Sequence, residues 1–130
     1  MAHIFLSQLK TVLNNCIDEL EQIHFLFSRN PETDFTRKRK LTFKEYIQFM
    51  LLMQGKTVSN EILDFFSHFL SAPSKSAFTQ QRYKLLPEGW DFLFHSFVTQ
   101  CRSLSDDLYC GYRLLACDGS DVNIARNPSD

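Results

Sequence analysis

Residues 6–27, LSQLKTVLNNCIDELEQIHFLF, carry the most regular hydrophobic pattern in the chain. Leu6, Leu9, Leu13, Cys16, Leu20, Ile23 and Phe27 follow one another at alternating steps of three and four, the a/d spacing of a helical seam. At about 3.6 residues per turn this predicts a helix of roughly six or seven turns, ending near Ser28 before Asn30-Pro31. Such a seam can zip two chains into a short coiled coil, or it can pack as an amphipathic face on its own domain, which is the commoner outcome.

Downstream, the pattern turns polar from Asn30 to Lys40 and reads as a linker that ends in the basic run Arg37-Lys38-Arg39-Lys40. Thr42-Phe43-Lys44-Glu45 has the form of a capping box, so a helix begins at Phe43, buries Phe43, Tyr46, Ile47, Met50 and Leu51, and stops at Gly55. Ser59 or Asn60 caps a third helix with Ile62, Leu63, Phe65, Phe66, Phe69 and Leu70 on a wide apolar face. Ser71–Ser76, with Pro73, makes a turn and is followed by a short helix from Ala77 to Leu85. Pro87, at a first-turn position, opens a fifth helix through Cys101 with Trp90, Leu93, Phe94, Phe97 and Val98 inward. After Ser103 the character changes, and Tyr112–Cys117 reads as an apolar strand ending at Asp118-Gly119-Ser120-Asp121. A strand without a visible partner cannot satisfy its own backbone, so the sequence reads as cut off at its C-terminal end.

Composition agrees with a mainly α reading. Four Gly and four Pro in 130 residues argue against a turn-rich β-sandwich or barrel, and 44% hydrophobic residues exclude a disordered tail. Cys16, Cys101, Cys110 and Cys117 form no C-x-x-C pair, so a zinc site would have to be assembled by tertiary contacts, and a disulfide framework is not indicated. The sequence lacks the marks of a signal peptide, and its most apolar run, Tyr46–Met53, is far short of a membrane span. A soluble, cytoplasmic protein is expected.

The formal charge of −1 hides an uneven distribution. Residues 29–84 hold ten basic and five acidic side chains, a charge of +5, whereas residues 1–28 carry −2 and residues 85–130 carry −4. The third helix, the turn and the short helix have the outline of a helix-turn-helix, although the turn is longer than the usual three or four residues. Its second helix would offer Ser76, Thr79, Gln80, Arg82 and Tyr83 to a groove of duplex DNA. Gln and Arg suit base edges, and Ser, Thr and the flanking Lys75 and Lys84 suit phosphates.

Other motifs carry less. Gly55-Lys56-Thr57 is not a phosphate loop, because the position five residues before it is Met50, inside a helix; Gly55 reads instead as a helix C-cap. The four His are isolated on helical segments and suggest no catalytic pairing. Asp118, held at a strand end with Gly119 to turn the chain, has the placement of a metal-binding carboxylate and equally that of an ordinary turn residue.

Three stretches together resemble a known family: Arg39-Lys40-Leu41-Thr42-Phe43, then Ser76–Leu85 (SAFTQQRYKL), then Gly111–Ser120 (GYRLLACDGS). They are similar to the N-terminal region of DDE transposases of bacterial insertion sequences, the IS-four-like group, over about residues 37 to 130. The resemblance implies a helical DNA-binding region at 1–103 and, from 104, the first strand of an RNase-H-like catalytic domain. By matching position Asp118 is the first acid of an Asp-Asp-Glu triad that holds two Mg²⁺ ions for strand cleavage and transfer. The second Asp and the Glu have no counterpart in these 130 residues, so the chain is not expected to cleave DNA by itself. The implied partner is double-stranded DNA of transposon ends, contacted by Arg37, Lys38, Arg39, Lys40, Lys75, Ser76, Thr79, Gln80, Arg82 and Lys84. The rival reading is a helical protein-interaction module that forms a homodimer through Leu6–Phe27, with the basic run merely solvated and Asp118 a turn residue.

Overall fold

The computed structural model describes residues 2–37, 40–67, 72–104 and 110, with side chains from Leu6 onward. Five α-helices and one 3₁₀ turn follow in order: α1 Ala2–Gln22, the turn His24–Phe27, α2 Phe43–Leu52, α3 Val58–Phe66, α4 Lys75–Arg82 and α5 Pro87–Arg102. The described residues contain no strand. One antiparallel bridge pairs Ser28 with Leu85, with Arg29 N–H donating to the Lys84 carbonyl at 2.9 Å and Leu86 N–H to the Phe27 carbonyl at 2.8 Å. The expected strand Tyr112–Cys117 lies outside the described residues, as do Phe69 and Leu70.

α1 packs on its own chain, against α5 and α2. Facing two helices, it buries a wider arc than a two-stranded seam does: Val12 and Ile17 join Cys16 and Leu20 in the core, while Leu6 is 50% exposed. The helix has about the expected length but ends earlier than Ser28, since the α pattern gives way after Gln22 to the tighter 3₁₀ turn, which leaves Phe25 and Leu26 outward. Polar contacts frame these interfaces. Glu19 accepts from Ser96 Oγ (3.1 Å) and Gln100 Nε2 (3.2 Å) on α5, and on α2 the Lys44 ammonium pairs with Asp18 while Gln48 donates to Asn14 (3.2 Å).

α2 starts where its capping box requires. Thr42 Oγ1 accepts from Glu45 N–H at 3.2 Å, and Glu45 Oε2 accepts from Thr42 N–H at 2.9 Å. Its buried residues are Phe43, Tyr46, Ile47 and Phe49; Leu51, expected inside, is exposed because α2 turns its Phe49 flank toward α3 and α4. The helix stops at Leu52 rather than Gly55, and α3 follows Thr57 without a side-chain cap, two residues before Ser59.

α4 begins two residues earlier than its sequence suggests, because Ser74 serves as N-cap, its Oγ accepting from Ala77 N–H at 3.1 Å. It ends at Arg82. α5 matches its predicted span, with Pro87 in the first turn and Leu93 buried; Phe94, expected inward, lies one step round from the Trp90, Leu93, Phe97 stripe and is 61% exposed.

Aromatic rings close the core. Phe78 of α4 meets Phe49 edge-on at 4.7 Å and Tyr46 at 6.2 Å, Phe49 meets Phe65 at 5.4 Å, and Tyr46 meets Trp90 at 6.1 Å. Phe78 is 1% exposed, so truncating it removes the one ring that ties α4 to α2. Phe78→Ala is expected to lower unfolding free energy by about 3–5 kcal/mol. Urea denaturation checks this, and a loss below about 1 kcal/mol, typical of surface positions, would contradict the anchoring role.

Candidate nucleic-acid interface

α4 is eight residues long, about 12 Å at 1.5 Å per residue, comparable with the width of the DNA major groove. Helical spacing sorts its side chains. Phe78 and Gln81 are buried, and two adjacent outward stripes remain: Lys75, Thr79 and Arg82, then Ser76, Gln80 and Tyr83, each at i, i+4, i+7 or its equivalent. All six are exposed, Tyr83 by 66%. Lys75, Ser76, Thr79, Gln80 and Tyr83 line one shallow concavity. Thr79 Oγ1 donates to the Lys75 carbonyl at 2.9 Å, leaving its lone pairs outward. α3 and α4 are in contact, with an eight-residue connection at 67–74.

Lys84 behaves differently from the other proposed contacts. It is folded back, with its ammonium 3.6 Å from Asp34 Oδ1 and 5.7 Å from the centre of the Phe35 ring. Asp34 is 5% exposed; its Oδ2 accepts from Asn30 N–H at 3.0 Å and its own N–H donates to the Asn30 carbonyl at 2.8 Å. Phe35 takes a left-handed conformation (φ +59°), which costs a non-glycine residue about 1–2 kcal/mol. Packing offsets that cost: the ring meets Phe43 edge-on at 4.9 Å, with His24 and Tyr46 each at 6.0 Å. The segment read as a linker is thus a docked loop up to Phe35. The signal for it was a lone Phe in an otherwise polar stretch.

Internal pairing thins the basic middle of the chain. Lys44 pairs with Asp18, Lys56 with Asp64 at 2.6 Å and Lys84 with Asp34, whereas Arg29, Arg37, Lys75 and Arg82 are exposed and make no ion pair among the described residues. Lys40 is also exposed. Lys38, Arg39 and Asp118 lie outside the described residues, so the residue to which the resemblance gives catalysis and Mg²⁺ is not positioned. Among the described residues no group of three or more His, Cys, Asp or Glu is placed to hold a metal.

The Gly55-Lys56-Thr57 loop has an occupant of its own. Gly55 (φ +82°) lets the chain curl so that Gln54 N–H (2.7 Å) and Lys56 N–H (2.8 Å) both donate to Glu61 Oε1, which is buried. Gly55 is therefore not the C-cap of α2 but the pivot of a small anion-binding nest filled by α3. The hydrogen bond and charge of Asp64 raise the Lys56 pKa. Burial, and then the proximity of Cys16, pushes the Cys101 thiol up, away from the range of reactive thiolates.

Among the described residues, two buried polar atoms at the inner side of α4 have no hydrogen-bond partner: Tyr46 OH and Gln81 Oε1. Burial pushes the Tyr46 phenol up to about 12 against the opposing pull of the nearby Arg82 guanidinium. No helix among the described residues is long and apolar enough to cross a membrane. Set against protein-family models, curated proteins and solved structures, the chain finds no match.

Two outcomes follow from these buried groups. Glu61→Ala leaves two loop N–H groups without their acceptor and is expected to cost about 1–3 kcal/mol, seen in denaturation and in faster amide exchange at Gln54 and Lys56. For Tyr46 the folded pKa lies above the unfolded 10.0, so its contribution is complete below pH 10 and is lost as pH rises from 10 towards 12. Tyr46→Phe should therefore flatten the fall in stability above pH 10, with little cost at pH 7 because the hydroxyl has no partner to lose. An unchanged alkaline profile would rule out this residue as its source.

Proposed function

We propose that the chain is the helical, DNA-binding part of a DDE transposase of bacterial insertion sequences, and that α4 reads duplex DNA at transposon ends. One observation carries the reading: α4, anchored by Phe78, turns two adjacent stripes of exposed hydrogen-bonding and cationic side chains to solvent. The spacing suits a groove. Gln80 and Arg82 can address base edges, Lys75, Ser76, Thr79 and, through its charge, Arg82 can address phosphates, and the Tyr83 ring offers apolar contact. The sequence resemblance at SAFTQQRYKL falls on this same helix, which supports the assignment to transposases. Under this reading Asp118 is the first acid of the catalytic triad and would share Mg²⁺ with two further acids.

The interaction-module reading keeps one observation in its favour: Leu26, Leu51, Leu52 and Phe94 are large apolar side chains with about half or more of their surface exposed. A dimer through the Leu6–Phe27 segment would have to use Leu6, Phe25 and Leu26, since Cys16 and Leu20 are fully buried within the chain.

Fluorescence anisotropy with a random-sequence duplex pool of about thirty base pairs tests the DNA reading. Binding should weaken as salt rises, and Lys75→Ala/Arg82→Ala should lower the slope of log K against log salt by about 0.9 per lost phosphate contact. Gln80→Ala should weaken preference among sites selected from the pool more than it weakens binding to bulk duplex. Absence of binding at low salt, or a slope indifferent to Lys75 and Arg82, would overturn the reading; sedimentation that reports a dimer in their place would favour the interaction module.

A further inference from the structure

We infer that α4 selects an A·T base pair: the Gln80 amide reads adenine, the Tyr83 ring covers the methyl of a thymine at the same or the adjoining pair, and Arg82 holds the backbone without reading sequence. This inference rests on the DNA-binding reading above and deepens it, because it names the bases read and gives each side chain one task.

The seating of the helix separates Arg82 from the others. Phe78 and Gln81 face the core, so the exposed arc of α4 lies opposite them. Arg82 stands four residues from Phe78 and next to Gln81, at the border of that arc. Its guanidinium is near enough to the buried Tyr46 phenol to oppose the upward shift that burial causes, so its charge lies on the α2 side of the helix. Lys75, Ser76, Thr79, Gln80 and Tyr83 line one concavity that Arg82 does not enter. A cation at the rim of a groove-facing surface meets the phosphates that wall the groove.

Within the concavity, chemistry narrows the readers to two. Hydroxyls such as those of Ser76 and Thr79 bond to more than one base and discriminate little, and the Thr79 hydroxyl already donates to the Lys75 carbonyl. Lys75 is a point charge suited to phosphate. Gln80 is exposed and makes no side-chain hydrogen bond among the described residues, so its amide keeps a donor and an acceptor side by side. Adenine presents the complementary pair in the major groove, N7 as acceptor and the N6 amino group as donor, whereas guanine presents two acceptors. Tyr83 keeps helical backbone angles (φ −78°, ψ −9°) and so stays in phase with α4, three residues beyond Gln80 on the same stripe. That is about 4.5 Å along the axis, close to the base-pair spacing of about 3.4 Å. Its ring is the one large apolar surface lining the concavity, and thymine alone offers a methyl in the major groove.

The test uses the full chain and duplexes selected from the random pool. An A·T pair is expected at one fixed position of the selected sites. Replacing its adenine by 7-deazaadenine, which lacks the N7 acceptor, should weaken wild-type binding about three- to tenfold. Replacing the thymines of that pair and its neighbours by uracil, one at a time, should weaken binding about fourfold at one of them, the worth of one buried methyl. Gln80→Ala should abolish the first effect and keep the second, and Tyr83→Ala should do the reverse. Arg82→Ala should lower the salt slope by about 0.9 and select the same sites. All three side chains are exposed, so circular dichroism should show each variant folded as the wild type is. Selected sites without a fixed A·T pair, analogue effects that survive in the matching variants, or a fixed guanine that disappears with Arg82→Ala would overturn this assignment and leave DNA binding by α4 standing. No binding by the wild type at low salt would overturn both.

Discussion

An eight-residue helix has almost no stability of its own in water, since nucleation costs more than so few turns return. α4 exists because Phe78 is inserted between Phe49 and Tyr46, with Ser74 capping the N-terminus. Everything proposed for the outward face depends on that insertion. The buried side fixes the rotation of the helix about its axis, and rotation decides which side chains are presented. With Phe78 and Gln81 inward, the helical period leaves no option but to turn Ser76, Thr79, Gln80 and Tyr83 outward. The same core explains why Phe is so abundant: rings contributed by α2, α3, α4 and the loop at Phe35 share edge-to-face contacts that shorter aliphatic side chains could not span.

What could be read from the sequence was local. The capping box of Thr42 and Glu45 lies within four residues and appears in the structure as expected, as does the span of α5 from Pro87. Features fixed by distant partners were illegible. Phe49 was missed because α2 faces α1 on one side and α3 and α4 on another, so two stripes are buried where a single amphipathic face was expected. Phe94 misled because the arc that α5 buries runs through Phe92, Leu93 and Phe97, and Phe94 lies just beyond its edge, in solvent. Of the candidate site, the exposed residues of α4 were legible from helical spacing, whereas the turning-in of Lys84 depends on a carboxylate fifty positions away.

Charge shows the same division between local and distant. A count by segment makes residues 29–84 strongly basic, but a count has no knowledge of pairing. Lys44, Lys56 and Lys84 each meet a carboxylate and serve the fold, two of them through pairs with substantial exposure, where such pairs contribute little to stability. Lys84 and Asp34 are the exception, with side chains only 21% and 7% exposed, so removing either partner leaves a poorly solvated charge behind. Arg37, Lys75 and Arg82 are thus distinguished from the other cations by what surrounds them rather than by residue type.

The inward turn of Lys84 has a backbone cause. α4 ends at Arg82, Tyr83 and Lys84 form a turn in which the Lys84 N–H donates to the Gln81 carbonyl at 3.0 Å, and Leu85 is held by the bridge to Ser28. Leu85 is committed to the core, and Lys84, just before it in the turn, points to the other side, against Asp34 and Phe35. That side is occupied by the turn from Asn30 to Phe35, whose buried Asp34 needs a cation and whose Phe35 ring presents a face to one. Arg82, still within the helix, escapes this constraint and stays on the outward stripe. Two cations two residues apart therefore acquire different roles from the point at which the helix gives way to a turn.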